Sequence, residues 1–251
     1  MSFLNCLVVG VANEHSIAWG CAKVLHEKGA RVALTYLNEK TKTYVDPLAK
    51  AIDAPLFMPL DVQNPEEQEA LFKEITAQWG RLDVLIHAVA FAPKEDLQGR
   101  VIDCSLEGFQ TAMDISCHSL MRLTKAVEPL MKNGGSIMTM SYYGADKVID
   151  NYNLMGPVKA ALEASVRVLA SELGAKGIRV NAISPGPMAT RAASGLSHFD
   201  DLMAKVAAQA PTHMLTSLKQ VGELAAYLAS PQSSQITGQV IYIDGGYHIK
   251  G

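Results

Sequence analysis

Apolar residues along the 251-residue chain fall into two alternating patterns. Six short runs are near-continuously apolar and rich in β-branched residues: LVVGV, RVALTY, LDVLIHAV, GSIMTMS, IRVNAIS and QVIYID. Such runs predict strands buried on both faces. Between them, residues 16–28, 65–79, 107–132, 152–174 and 218–229 carry apolar positions at helical spacing. Strands joined through helices of this length imply crossover connections, and crossovers imply a parallel sheet covered on both faces. The expected fold class is α/β. A doubly wound, Rossmann-like parallel sheet would form a single domain over residues 1–251, with its ligand crevice at the carboxyl ends of the strands.

Composition narrows the range of functions. The chain is 49% hydrophobic and 19% charged, enough for a large core and unlike a disordered segment. A formal net charge of −3 argues against nucleic-acid binding, which needs a basic face. No apolar run approaches the length of a membrane span, and the first residues do not resemble a signal peptide. Cys6, Cys21, Cys104 and Cys117 form no C-x-x-C pair, so reduced thiols in a cytoplasmic protein are expected. The seven histidines do not cluster at ligand spacing, and no metal site is expected.

Four strand ends carry the punctuation of a nucleotide site. In VVGVANEHSIAWG, Gly10 closes the first strand, Ser16 and Ile17 open a helix, and Gly20 follows one turn later. A glycine turn lets the backbone approach a pyrophosphate whose charge sits at the helix N-terminus. The spacing is not G-x-G-x-x-G, and a turn glycine with a serine cap explains it equally well in isolation. Asp61, directly after the third strand, is either an acceptor for an adenine amino group or a turn aspartate. HAVAFAP leaves the backbone open around Ala88 and Ala90, and SPGP ends the sixth strand.

Together Gly10-x5-Ser16-Ile17-Ala18-x-Gly20, Asp61-Val62, HAVAFAP, SYYGA…NYNLMGPVKAALEA, SPGP and IDGGY resemble the enoyl-acyl-carrier-protein reductases of bacterial type II fatty-acid synthesis. This is a divergent branch of the short-chain dehydrogenase/reductases. The likeness runs from about residue 3 to the C-terminus and is most specific over 141–168. It implies NAD(P)H-dependent reduction of a trans-2-enoyl thioester, carried on acyl carrier protein, in a homotetramer. The implied catalytic residues are Tyr142, Tyr152 and Lys159. Cofactor contacts are implied at Gly10, Ser16, Ile17 and Leu37, at Asp61, Val62 and Val89, and at Lys159. Further contacts are implied at Met188, Ala189, Thr190, Arg191 and Ala192. Ala92, Tyr142, Leu196 and Phe199 would meet the substrate. A mobile loop at about 188–211 would cover the site, with Gly195 as hinge and Met203 as further lining.

Two tyrosine–lysine pairs compete within this region. Tyr143 and Lys147 have the Y-x-x-x-K spacing of an ordinary short-chain dehydrogenase, whereas Tyr152 and Lys159 have Y-x6-K. Lys159 lies in a long amphipathic stretch, while Lys147 precedes VIDNYN, rich in turn formers, so Tyr143 and Lys147 read as a spacing coincidence. Moving the tyrosine three residues earlier on a helix displaces it by roughly 4–5 Å. Enoyl reduction places negative charge on the thioester oxygen, two carbons from the carbon that takes hydride. The longer spacing therefore suits C=C reduction. Lys159 would hold the ribose hydroxyls and draw the tyrosine toward its anion, a charge about 4 Å away being worth about 4 kcal/mol at an effective dielectric of ~20.

NADH is expected over NADPH, because TYLNEK ends the second strand with Leu37 and Asn38 and no arginine, although Lys40 and Lys42 stand nearby. Two other functions remain compatible with the pattern: a ketoreductase using Tyr143 and Lys147, and a nucleotide sensor without turnover.

Overall fold

The computed structural model describes residues 4–190 and 199–250, with the side chains of Phe199 and Asp200 excepted. Seven strands form one sheet: β1 (Asn5–Val9), β2 (Arg31–Tyr36), β3 (Phe57–Pro59), β4 (Val84–His87), β5 (Gly135–Met140), β6 (Ile178–Pro185) and β7 (Val240–Ile243). Their order is β3-β2-β1-β4-β5-β6-β7, and every pairing is parallel. The chain runs outward from β1 to β3, then returns to place β4 against the other side of β1. That reversal is the switch point where open parallel sheets bind ligands.

Helices cover both faces. On one face, α1 (Ile17–Glu27) and α9 (Leu218–Ala229) pack over a core that includes Val8, Leu34, Ile86, Met138 and Ile183. The other core, around Leu7, Leu85, Ile137 and Val180, is closed by α3 (Pro65–Trp79) and two later helices. The central strands are mostly apolar because they face both cores, with residues alternating between them.

The helix expectations for 65–79 and 218–229 match the structure, and 16–28 becomes 17–27. Others needed correction. The single helix expected over 107–132 is three pieces: α5 (Leu106–Met113), a π-helical turn (Asp114–His118) and α6 (Ser119–Val127), with Pro129 in the closing 3-10 turn. Two helices carry too little apolar patterning to be foreseen. α2 (Glu39–Ala51) buries only Thr41, Val45 and Ala49 and contains Pro47, and α4 (Lys94–Leu97) is a single turn. The strand β3 is three residues long. The helix expected at 152–174 is α7, Met155–Leu173. Within 188–211, expected to be a loop, α8 spans Phe199–Gln209 and buries Val206 against Tyr143 and Tyr247.

Gly20 has a packing role rather than a ligand role. A Cβ there would lie 2.7 Å from the Leu218 carbonyl oxygen, and one at Gly222 would lie 2.5 Å from the Gly20 carbonyl oxygen. The two glycines let α1 and α9 touch backbone to backbone.

Candidate active site

A parallel sheet gathers all strand carboxyl ends on one edge, and the candidate residues lie along it. Gly10 follows β1 with φ 106°, and a Cβ there would fall 2.2 Å from the Ala88 carbonyl oxygen at the end of β4. No side chain is tolerated on either ground. The backbones leaving β1 and β4 are therefore in direct contact at this point, with no side chain between them. Ser16 precedes α1 but does not cap it. Its Oγ instead accepts from the Ala12 and Asn13 amides, both at 3.0 Å, and so shapes the loop from within.

Asp61 forms the turn that the sequence allowed: one carboxylate oxygen accepts from the Gln63 amide at 2.9 Å. Next to it, the Val62 carbonyl oxygen accepts from Gln68 Nε2 at 2.9 Å and from Arg122 Nη2 at 2.8 Å. Asp114 binds Arg122 and Gln63, fastening this loop to the π-helical turn. Leu37 is half exposed beyond β2, and Asn38 caps α2 by accepting from the Thr41 amide. Val89 and Ala92 are half-buried after β4. Met188 is buried after β6, its carbonyl oxygen accepting from the Thr190 amide at 2.7 Å, and Ala189 is exposed. Arg191, Ala192, Gly195 and Leu196 lie outside the described residues, as does the Phe199 side chain.

Beyond β5 stand the tyrosines. Tyr142 meets Tyr143 and Tyr152 edge-on, with ring centroids 5.0 and 4.9 Å apart. Tyr143 turns away into the cluster with Tyr247, and Lys147 is exposed, 3.2 Å from Asp146. Tyr143 and Lys147 do not form a working pair. Tyr152 and Lys159 are both buried, Tyr152 within the apolar cluster of Leu97, Leu154 and Val158. Tyr152 is not on the helix: residues 150–154 form turns, and α7 begins at Met155. The rise of a helix therefore does not measure its displacement.

Lys159 donates to the Met140 carbonyl oxygen at 2.6 Å, so the ammonium is anchored to the end of β5. Burial lowers its pKa to about 8, with Cys117 and then Glu163 opposing the shift. The expected pull of Lys159 on Tyr152 is overturned. Burial is the largest effect on Tyr152 and pushes its phenol up, reinforced by Tyr142 and Glu163. A tyrosine held protonated is a hydrogen-bond donor. The Tyr142 hydroxyl is buried without a hydrogen-bond partner among the described residues. Such an orphan is an expected contact for a bound group.

Three polar residues escaped the sequence reading. His87, on β4, links β5 to α6, 2.8 Å from both Thr139 Oγ1 and Ser119 Oγ. Burial first, then the Lys159 charge, lowers its pKa to about 3, so it is neutral. Ser141 Oγ donates to Glu163 at 2.5 Å, tying the residue between Met140 and Tyr142 to α7. Glu163 follows Lys159 by four residues on a buried face, a spacing visible in the sequence. Among the described residues, no group of three or more metal-binding side chains stands together.

Residues 10–248 match the family model described as enoyl-(acyl carrier protein) reductase. The chain belongs to this family. It is 49% identical over 250 residues to an NADH enoyl-acyl-carrier-protein reductase of Nostoc sp., covering 98% of this chain and 97% of the relative. A reductase of the same name from Aquifex aeolicus is 45% identical, covering 98% and 92%. The reductase of Anaplasma phagocytophilum, solved in complex with NAD, superposes with a TM-score of 0.95 at 48% identity, covering 99% and 95%. The Bacillus cereus reductase, solved with NADP+ and an indole naphthyridinone, gives 0.96 at 41% identity, covering 99% and 97%.

Proposed function

We propose that this reductase uses NADH to convert trans-2-enoyl thioesters, carried on acyl carrier protein, into saturated acyl thioesters. The observation that carries the reading is that the buried Lys159 is anchored on Met140 at the end of β5, while the buried Tyr152 packs edge-on against Tyr142 just beyond that same strand end. The buried Tyr142 hydroxyl, without a hydrogen-bond partner among the described residues, fits a contact to a bound substrate or dinucleotide. When bound, NADH would supply hydride for C3 of the substrate. The π electrons would then move toward the thioester oxygen, and a proton from solvent would complete the reduction at C2. Tyr152 donates to that oxygen as charge develops, an oxyanion-hole role. Lys159 would hold the ribose hydroxyls, and Tyr142 would flank the acyl chain.

Gly10, Ser16, Ile17 and Thr190 are assigned to the pyrophosphate region, and Asp61 and Val62 to the adenine. Leu37 is assigned to the adenosine ribose, Val89 and Met188 to the nicotinamide side. The segment at about 188–211 is assigned as the substrate cover of a single reductase domain. The assembly is a homotetramer in the cytoplasm. Ala170 points into the chain's own core, leaving Ala160, Ala164 and the exposed Val168 for a neighbouring subunit. Light scattering at micromolar concentration reads four copies if so and one if not.

The test is NADH oxidation with crotonyl thioester against acetoacetyl thioester. Turnover of the first alone supports the reading, and turnover of the second alone means a ketoreductase. Tyr152→Phe costs on the order of 10²-fold in turnover, while Tyr143→Phe and Lys147→Ala leave it near the parent's value.

A further inference from the structure

Tyr152 stands ahead of the helix that carries Lys159, so that helix alone does not fix where its hydroxyl points. The turn does. Its backbone is held between Asn151 and Asn153, whose φ angles are 63° and 41°. Both lie in the left-handed region that side chains other than glycine, asparagine and aspartate rarely enter. The Tyr152 amide donates to the Ile149 carbonyl oxygen at 3.1 Å, and its own carbonyl oxygen accepts from the Met155 amide at 3.0 Å. On one side, the ring lies against Gly144, where a Cβ would fall 2.6 Å from Tyr152 Cδ1.

One side chain leaves this turn and crosses to another element. Asn153 Nδ2 donates to the Leu97 carbonyl oxygen at 2.9 Å, a link between residues 56 apart in sequence. Leu97 ends α4 and is buried in the same apolar cluster as Tyr152, Leu154 and Val158. The turn α4 is itself secured. Asp96 accepts from the Ser105 amide at 2.6 Å and lies where a Cβ on Gly108 would be, 1.9 Å from Asp96 Oδ2. Asn153 thus ties the tyrosine's turn to a segment anchored on α5.

We propose that Asn153 is a positioning residue, whose amide bond to Leu97 holds the left-handed turn that aims Tyr152 at the substrate oxygen. The inference rests on the assignment of Tyr152 made above. Asparagine alone meets both demands of the position. Glycine adopts the backbone but has no amide to donate. Aspartate tolerates the backbone but offers only acceptors, which would face the Leu97 carbonyl oxygen. Glutamine donates but lacks the tolerance for positive φ. Lys159 lies inside α7 with its own anchor on Met140, so cofactor binding does not depend on Asn153.

The experiment is a double-mutant cycle on the full chain, read as kcat with crotonyl coenzyme A. Asn153→Gly and Asn153→Asp are each expected to lower kcat by about tenfold, as small misplacements of a reacting group do. The NADH dissociation constant, measured by fluorescence, stays within about twofold because ground-state cofactor contacts are intact. In a Tyr152→Phe background the same substitutions change kcat by less than about twofold, since the hydroxyl they aim is gone. A second tenfold loss in that background would show a general structural role and overturn the proposal, as would parental kcat in both single variants. If Tyr152→Phe alone keeps the parental kcat, the assignment of Tyr152 has failed instead. Asn153→Gly, which preserves the turn's backbone, decides the matter should Asn153→Asp not fold.

Discussion

At the scale of single residues, the site depends on what burial does to charge. Lys159 is the clearest case, with its pKa lowered to about 8. The groups around it are neutral His87, Cys117 on the π-helical turn, and Glu163 on its own helix. For a lysine with a depressed pKa, the folded protein releases the proton before the unfolded chain does. Between about 8 and the ordinary lysine value of 10.5 the unfolded chain binds more protons, so the Lys159 contribution to stability rises with pH in that window and is flat below it. The ribose contact proposed for Lys159 has the opposite sign, because it needs the ammonium. NADH affinity is expected to hold steady below pH 8 and then to fall toward tenfold per pH unit above it, as titration of the dissociation constant would read. Glu163→Gln removes the charge that opposes the depression, so the fall begins at lower pH; an unchanged profile would mean that Glu163 does not act on Lys159. Lys159 was legible in the sequence from its place in an amphipathic stretch. Its near neighbours were not, because His87 and Ser141 look like ordinary members of apolar strands. A second residue-scale expectation concerns the cofactor. Lys40 and Lys42 are the cations that follow the end of β2, and Lys42 pairs with Glu39 at 3.3 Å. Glu39→Gln frees that lysine and removes a repelling charge, so the kcat/KM ratio of NADPH to NADH is expected to rise several-fold, which paired kinetics would detect.

At the scale of elements, periodicity succeeded where one face is apolar and failed where local geometry decides. The helices at 65–79 and 218–229 were legible because their apolar positions recur at helical spacing and their ends carry Asn64 and Ser217 as caps. The segment 107–132 has the same periodicity throughout. Nothing in that pattern marks the one-residue expansion at Asp114–His118, which gives Arg122 and Asp114 their hold on the Val62 loop. Likewise, the helix at Lys159 was legible, but its start was not, since two left-handed asparagines keep Tyr152 in a turn. The close approach of α1 and α9 was equally hidden, because a glycine in a helix reads as a weak position until its neighbour is known. Gly222→Ala gains about 1 kcal/mol of helix propensity. Against that, the added Cβ would stand 2.5 Å from a backbone oxygen and 2.6 Å from Val24 Cγ2. Overpacking of that kind costs about 1–3 kcal/mol and backbone cannot swing aside. The expected net result is a Tm lower by a few degrees with kcat unchanged, measured by thermal melts and initial rates.

At the scale of the whole molecule, the parallel sheet made the site's location legible before any residue was assigned. Every strand ends on one edge, and the order β3-β2-β1-β4-β5-β6-β7 puts the switch point between β1 and β4. A carrier protein must deliver its acyl chain to that edge. Acyl carrier proteins are acidic, so a docking rim gains from basic side chains, which speed association more than they deepen binding. This chain has a net charge of −3, and its expected cover segment reads SGLSHFDDLMAK. Asp200 and Asp201 fall in the first turn of α8, where the helix dipole favours acids, with Lys205 one turn further on. Two like charges at a docking rim should slow encounter with the carrier protein and flatten its salt dependence, leaving the chemical step alone. The same acyl chain on coenzyme A should therefore compete well as a substrate. The measurement is kcat/KM for one chain on each carrier across ionic strength. Asp200→Lys with Asp201→Lys is expected to raise the carrier-protein value and leave the coenzyme A value nearly unchanged. A strong carrier-protein preference in the parent enzyme that collapses with salt would place the docking contacts on a basic patch away from α8.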